Sequence, residues 1–128
     1  MTSPKNKTVL VADDDHFITV AYKAGLEHAG YNVLIAEDGE QAIALIDLHV
    51  PDVVLLDIIM PKLNGFEVLQ AVKAKAHAAH VPILVLTNLS QPSDQKTALD
   101  YGANGVLIKA NVSFRDILAH IERLITVS

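Results

Sequence analysis

Short apolar runs rich in β-branched residues alternate with amphipathic segments along the chain. The runs cover residues 8–12, 33–36, 53–56, 83–86 and 106–108. Between them, apolar side chains recur every three or four positions, as at Phe66, Leu69 and Val72. Such runs predict strands, and the wider spacing predicts helices. Their strict alternation predicts an α/β fold, a doubly wound (βα)5 sandwich with a five-stranded parallel sheet and helices on both faces.

Turn and capping residues agree with this division. Gly30, Gly39 and Gly102 fall at the ends of predicted elements, where the left-handed backbone conformation costs glycine least. Residues 113–116 resemble a capping box that opens the last helix. The fourth helix, predicted over residues 92–101, has the weakest pattern because it carries few large apolar side chains.

The composition predicts one domain with a sizeable core. The chain has 128 residues, of which 51% are hydrophobic and 20% charged. We expect residues 1–6 to form an N-terminal tail and residues 7–126 to form the domain. A net charge of -5 without a Lys/Arg cluster argues against direct nucleic-acid binding. The chain has no cysteine, no apolar stretch long enough to cross a bilayer and a polar start, so we expect a cytoplasmic protein without membrane insertion.

Polar side chains follow four of the five predicted strands. They are Asp13, Asp14 and Asp15 after the first strand, Asp57 after the third, Thr87 after the fourth and Lys109 after the fifth. Each one alone could be an ordinary turn or capping residue. The carboxyl ends of parallel strands meet at one edge of the sheet, however, and α/β sheets bind ligands there. The coincidence of these residues at one edge therefore indicates a functional site.

The residue types at this edge suit phosphoryl chemistry. Converging carboxylates repel one another unless protons or a cation compensate, and Mg²⁺ prefers one or two carboxylates together with water and phosphate oxygens. A lysine ammonium and a threonine hydroxyl suit the remaining oxygens of a phosphoryl group. An aspartate carboxylate can form an acyl phosphate, so Asp57, directly after a buried strand, is the candidate nucleophile.

The chain resembles the receiver domain of two-component response regulators over residues 7–126. The resemblance depends on the segments VLVADDD, DVVLLDIIMPKLNGFEVL, PILVLT and GANGVLIK, in this order and with the spacing of that family. It implies a flavodoxin-like strand order of 2-1-3-4-5. It also implies a signalling domain rather than an enzyme, which takes a phosphoryl group from the phosphohistidine of a sensor histidine kinase or a histidine phosphotransfer protein.

The resemblance also assigns roles to the residues at the sheet edge. It implies phosphorylation at Asp57, a Mg²⁺ site formed by Asp13, Asp14, Asp57 and the backbone carbonyl of Ile59, and catalytic roles for Thr87 and Lys109. Asp15 is an additional acid that we expect to start the first helix. On phosphorylation, Thr87 would move toward the phosphoryl group and change a protein-interaction face formed by helix 4, strand 5 and helix 5.

The sequence departs from the family pattern after the fifth strand and within it. Ala110 follows Lys109 where the family usually has a cis-proline, so either a costly cis bond is present or a trans bond aims Lys109 differently. The family's switch aromatic falls on Val106, so an aromatic rotamer cannot carry the signal. The two positions that flank the attacking water in the family are the apolar residues Ile59 and Leu89, which predicts slow hydrolysis of the phosphoryl group.

Several alternative functions can be weighed against these residues. Residues 13–15 would repel the phosphate of a flavin nucleotide, and the chain lacks the glycine motifs of P-loop and dinucleotide enzymes. A phosphatase with Asp57 as nucleophile would want an acid at the position of Ile59. A pseudo-receiver, which keeps the fold as a binding module but is not phosphorylated, stays an alternative, and Ala110 is its best support.

Two further expectations concern the histidines and the output. His77 and His80 could suggest a metal site near the end of the third helix, but a solvated helix end is the better interpretation without further ligands. We expect the output to pass through contact with another protein, since no effector segment follows residue 126, unless the sequence belongs to a longer chain.

Overall fold

The computed structural model of the protein describes residues 6–127, so most of the predicted N-terminal tail lies outside the described residues. Five strands and five α-helices alternate along the chain, with one short 3₁₀ helix before the last α-helix. The strands are β1 (Thr8–Ala12), β2 (Asn32–Ala36), β3 (Val53–Leu56), β4 (Ile83–Thr87) and β5 (Gly105–Ile108). The α-helices are α1 (His16–His28), α2 (Gly39–His49), α3 (Gly65–Lys73), α4 (Pro92–Asp100) and α5 (Phe114–Val127). The predicted alternation is confirmed.

The strands form one parallel sheet in the order β2-β1-β3-β4-β5, as the resemblance implied. At the carboxyl ends, Ala12 lies opposite both Ala36 and Leu56, and Thr87 lies opposite Ile108. The residues that follow β1 and β3 therefore start side by side, and so do those that follow β4 and β5. This register brings separate parts of the sequence to one edge of the sheet.

The two faces of the sheet form two apolar layers because successive strand side chains point to opposite sides. Leu10, Val54 and Leu56 pack with α2, α3 and α4 on one face. Val11 and Leu55 pack with α1 and α5 on the other. Each large side chain removed from water in this way contributes about 1.5–3 kcal/mol of transfer free energy. The central strands are buried on both faces, which explains why they appear in the sequence as continuous apolar runs.

The predicted helix starts are confirmed. The Asp15 carboxylate caps α1 by accepting hydrogen bonds from the backbone N–H groups of Phe17 and Ile18 at 3.0 and 3.3 Å. At the start of α5, the Asp116 N–H donates to Ser113 Oγ at 3.1 Å, and the Ser113 N–H donates to Asp116 Oδ2 at 2.9 Å. These bonds hold the pKa of the exposed Asp116 carboxyl below its usual value. This reciprocal pair is the predicted capping box.

The glycine prediction is right at two positions and wrong at one. Gly30 and Gly102 have φ angles of 103° and 104°, as expected for left-handed residues at element ends. Gly39 instead is the first residue of α2, and a Cβ atom there would overlap the backbone carbonyl oxygen of Leu63. The left-handed residue at the end of α2 is Val50, with φ of 44°. Close packing of the start of α2 against the loop before α3, rather than backbone conformation, therefore requires glycine at position 39.

Candidate functional site

Asp57 stands at the carboxyl end of β3, where the sheet holds its backbone. Its N–H donates to the carbonyl oxygen of Ala12 at 2.9 Å, which extends the β1–β3 pairing by one residue. Its side chain is buried, and Oδ1 accepts a hydrogen bond from the N–H of Ile59 at 3.3 Å. The following loop packs closely, since a Cβ atom on Gly65 would lie 2.5 Å from the Asp57 carbonyl oxygen. The carboxylate is thus presented from a rigid segment.

Asp13 and Asp14 bring two more carboxylates to Asp57 from the end of β1. Asp13 is buried and its Oδ1 accepts the N–H of Asp15 at 2.9 Å, whereas Asp14 is exposed. One carboxylate oxygen from each of Asp13, Asp14 and Asp57 lies within 4.8 Å of the others. Burial raises the pKa of the Asp13 carboxyl, even though hydrogen bonds from Lys109 and Asp15 oppose that rise.

Lys109 supplies the positive charge at this edge. Its Nζ donates to Asp13 Oδ2 at 2.5 Å and to Asp57 Oδ2 at 2.7 Å, and its side chain is only 11% exposed. Burial alone would lower the pKa of Lys109, but the hydrogen bonds and charges of Asp13 and Asp57 raise it above the usual value. The Lys109–Ala110 bond is trans, since the described residues contain no cis peptide bond, and Lys109 nevertheless reaches both carboxylates. Of the two alternatives, the structure therefore has the trans bond, and with it the Lys109 ammonium contacts both carboxylates.

The other predicted site residues are Thr87, Ile59 and Val106, of which Thr87 and Ile59 lie at the same edge of the sheet and Val106 lies further back in β5. Thr87 ends β4 and is buried, and its Oγ1 accepts the N–H of Leu89 at 3.3 Å. Ile59 has an exposed side chain beside Asp57. Val106 is half-buried in β5, where it pairs with Val85 and packs against the apolar layer on the side of α2, α3 and α4. The ligand role of the Ile59 carbonyl and the switch roles of Thr87 and Val106 stay predictions.

Two residues near the site were not identified from the sequence. The N–H of Ala110 donates to the side-chain oxygen of Asn88 at 3.2 Å. Tyr22 in α1 packs against the apolar layer on the side of α1 and α5, and burial raises the pKa of its phenol, with Lys109 opposing the rise and Asp13 adding to it. For Asn88 the available signal was a polar residue directly after Thr87. For Tyr22 the sequence held no signal, since it occupies an ordinary helical position.

The histidines do not form a metal site in the described part of the chain. His77 lies in the turn after α3, is exposed, and its Nε2 contacts Asp47 Oδ1 at 2.7 Å. Among residues 6–127, the side chains that come close enough together to bind one metal ion as a group of three are those of Asp13, Asp14 and Asp57, and no histidine belongs to that group. His77 and His80 are both exposed and follow α3 rather than end it, and their interpretation as solvated residues stays a prediction.

The donor set at the sheet edge fits a hard divalent cation. It consists of carboxylate oxygens alone, and three carboxylates face one ammonium group, so the cluster is negative overall when it is ionised. Mg²⁺ prefers such oxygen ligands and keeps several water molecules, which the exposed side chain of Asp14 leaves room for.

Comparison with known proteins agrees with this geometry. The family model for the response regulator receiver domain matches residues 9–122. The chain is 33% identical over 120 residues to the alkaline phosphatase synthesis transcriptional regulatory protein PhoP of Bacillus subtilis, an alignment that covers 94% of this chain and 49% of PhoP. The chain spans half or less of the length of the first curated relatives that it matches.

Solved structures show the same similarity. The chemotaxis response regulator CheY4 of Vibrio cholerae superposes with a TM-score of 0.86 at 32% identity, covering 94% of this chain and 99% of CheY4. The receiver domain of the sensor histidine kinase PA1611 from Pseudomonas aeruginosa superposes with a TM-score of 0.87 at 26% identity, covering 94% of this chain and 98% of that domain. Its structure has a magnesium ion coordinated in the active-site cleft.

Receiver domains belong to signalling proteins rather than to classical enzymes. They are phosphorylated by histidine kinases, and they typically use Mg²⁺ at an acidic site. In the described range, no helix is both long enough and apolar enough to cross a bilayer. The match over residues 9–122, together with the observed strand order, shows that this chain belongs to the response regulator receiver domain family of two-component systems.

Proposed function

We propose that Asp57 accepts a phosphoryl group from the phosphohistidine of a histidine kinase or a histidine phosphotransfer protein, with Mg²⁺ required. The observation that carries the proposal is the contact of one Lys109 ammonium with both Asp13 and Asp57, at 2.5 and 2.7 Å, beside the third carboxylate of Asp14. A structural ion pair needs one carboxylate. Three carboxylates around one buried ammonium are costly to assemble without a further cation or substrate.

Phosphoryl transfer would use the groups at this edge as follows. A carboxylate oxygen of Asp57 attacks phosphorus as the bond from phosphorus to the imidazole nitrogen breaks, and the electron pair stays on that nitrogen. Asp13, Asp14, Asp57 and the Ile59 carbonyl would hold Mg²⁺, which when bound supplies positive charge to the phosphoryl oxygens. Lys109, already at Asp57 Oδ2, would shift to a phosphoryl oxygen, so positioning and charge neutralisation provide most of the catalysis.

The proposed output begins at Thr87. Its hydroxyl oxygen accepts the N–H of Leu89, and a phosphoryl group on Asp57 would offer a charged acceptor to the hydroxyl hydrogen. Turning toward that acceptor would release the loop after β4 and change the face formed by α4, β5 and α5. Val106 in β5 has no ring to reorient, so the backbone and helix α4 would carry the change. We assign this activity to residues 7–126 and place the protein in the cytoplasm.

The test is incubation with acetyl phosphate and Mg²⁺, followed by the intact mass. We expect one added phosphoryl group in the wild type, none in Asp57→Asn and none when Mg²⁺ is chelated. The variant Asp52→Asn is a matched control, because Asp52 is an aspartate at the opposite end of β3 whose carboxylate accepts the N–H of Thr8 at 2.7 Å and lies outside the Asp13, Asp14 and Asp57 cluster. Modification that survives in Asp57→Asn would refute the proposed site. No modification in the wild type, from acetyl phosphate or from a phosphorylated histidine phosphotransfer protein, would identify a pseudo-receiver.

A further inference from the structure

The loop that carries Lys109 begins where β5 ends, and its first turn has little support of its own. Residues Lys109–Asn111 form a single 3₁₀ turn, and Ile108 before them provides no side-chain cap. The first N–H groups of any such turn have no acceptor within it. The N–H of Ala110 therefore needs an acceptor from elsewhere in the chain or from water.

That acceptor is Asn88, which follows Thr87 at the end of the neighbouring strand. Thr87 and Ile108 lie opposite each other in the β4–β5 pairing, so Asn88 and Lys109 are the next residues on the two strands. The side-chain oxygen of Asn88 accepts the Ala110 N–H at 3.2 Å. This bond continues the connection of the two strands by one step after their backbone pairing ends.

The segment around Asn88 is itself held, which allows an exposed side chain to keep one position. The Thr87 side chain accepts the N–H of Leu89, so the backbone on both sides of Asn88 is tied to a buried residue. Ala110 in turn directly follows the lysine whose ammonium contacts Asp13 and Asp57. The chain of contacts thus runs from the end of β4, through one side chain, to the backbone of Lys109.

We propose that Asn88 is a positioning residue, which fixes the Lys109–Asn111 turn through Ala110 and so holds the Lys109 ammonium against Asp13 and Asp57. The bond requires an N–H at position 110, which a proline would lack. In this chain a hydrogen bond from the β4 side takes the place of a ring constraint after the lysine. The inference rests on the proposed function only for its effect on phosphorylation, because the position of Lys109 can be observed without any phosphodonor.

The experiment compares the wild type with Asn88→Ala, Asn88→Asp and the control Ser90→Ala. Ser90 is exposed in the same loop, and its side-chain hydroxyl makes no hydrogen bond to any residue in the range 6–127. Asn88→Asp keeps an oxygen acceptor in the same place, and high ionic strength screens its added charge. Hydrogen exchange at the Ala110 amide and at the Lys109 ammonium is measured by nitrogen-15 NMR, and the rate of phosphorylation is measured with acetyl phosphate and Mg²⁺.

We expect Asn88→Ala to speed exchange at the Ala110 amide and at the Lys109 ammonium, and to slow phosphorylation about threefold to tenfold, the range set by one hydrogen bond. Asn88→Asp should restore both exchange rates and the phosphorylation rate to within about twofold of the wild type. The affinity for Mg²⁺ should not weaken in either variant, because the carboxylates stay in place. A general loss of structure would weaken Mg²⁺ binding as well, so this difference identifies positioning.

Ala110→Pro tests the same bond from the donor side. Since it removes the N–H, adding Asn88→Ala to it should cause no further slowing, whereas two independent effects would add. Unchanged exchange at Lys109 in Asn88→Ala, or additive effects in the double variant, would overturn the positioning role even if Asp57 is phosphorylated normally. A wild type that takes no phosphoryl group would refute the proposed function, and the Lys109 exchange data would still decide the role of Asn88.

Discussion

Replacing Lys109 by methionine should destabilise the protein in a manner that Mg²⁺ reverses. The substitution keeps an unbranched side chain but removes the charge that compensates Asp13 and Asp57, whose side chains are only 5% and 9% exposed. Removing one partner of a buried ion pair typically costs about 3–5 kcal/mol, because a charge is left buried without compensation.

The structure argues for a value below that range. Asp13 Oδ1 keeps the N–H of Asp15 at 2.9 Å, and Asp57 Oδ1 keeps the N–H of Ile59 at 3.3 Å. Among residues 6–127, each carboxylate therefore loses one of its two hydrogen-bond donors rather than both. We expect the free energy of unfolding to fall by about 2–3 kcal/mol at pH 7.5.

The loss of folding stability in Lys109→Met should depend on pH. Burial already raises the pKa of Asp13 above its value of 3.8, and loss of the Lys109 ammonium would raise it further. The folded variant then binds more protons than the unfolded chain, so its stability declines as the pH rises from about 4 through the folded-state pKa. The difference between Lys109→Met and the wild type should consequently be smaller at pH 5 than at pH 7.5.

Urea denaturation at both pH values, with and without Mg²⁺, measures these effects. Lys96→Met is a matched control, because Lys96 contacts Asp100 at the same distance of 2.7 Å but is 76% exposed, so its loss should cost only about 0.3–0.5 kcal/mol. Saturating Mg²⁺ should stabilise Lys109→Met more than the wild type, since the cation then replaces the missing charge. Equal deficits in the two lysine variants, or a Lys109→Met deficit that Mg²⁺ leaves unchanged, would refute the reasoning.

Two further predictions concern a close packing contact and the lifetime of the phosphoryl group. Gly39→Ala should lower the free energy of unfolding, measured in urea, by about 2–3 kcal/mol because its Cβ atom would overlap the Leu63 carbonyl. In the control Gly105→Ala the new Cβ atom meets a movable carbon of the Leu84 side chain, so the loss should stay below about 1 kcal/mol. Equal losses in the two variants would contradict the packing argument. Ile59→Asn combined with Leu89→Glu should speed loss of the phosphoryl group, followed by intact mass after removal of acetyl phosphate, about tenfold if placement of the attacking water controls the lifetime. Decay no faster than in the wild type would show that the lifetime is set elsewhere.

The sequence alone determined the fold because local pattern and global structure agree. Residues 8–12 and 53–56 are strands over the predicted bounds, and the other three strands extend by one residue at one end. Buried parallel strands require continuous apolar runs, so their pattern is visible without tertiary information. The capping box of α5 could likewise be predicted, since both partners lie within four residues of each other.

The edge of the sheet could also be predicted, though not its contacts. Parallel strands place Asp13, Asp57 and Lys109 at one end of the sheet whatever their separation in the sequence. The contacts of Lys109 with both carboxylates depend on the path of its loop, in which the Lys109–Ala110 bond is trans. Residues that are distant in the sequence determine that path.

Contacts between loops were decided by the tertiary structure alone. Gly39 was assigned a left-handed conformation because glycine usually serves that purpose at element ends, but its true constraint is the carbonyl of Leu63, a residue from the loop before α3. The bond between Asn88 and Ala110 joins residues 22 positions apart and depends on the register of β4 with β5. Periodicity and capping act over a few residues, whereas steric exclusion and loop-to-loop hydrogen bonds depend on distances that exist only after the strands have paired.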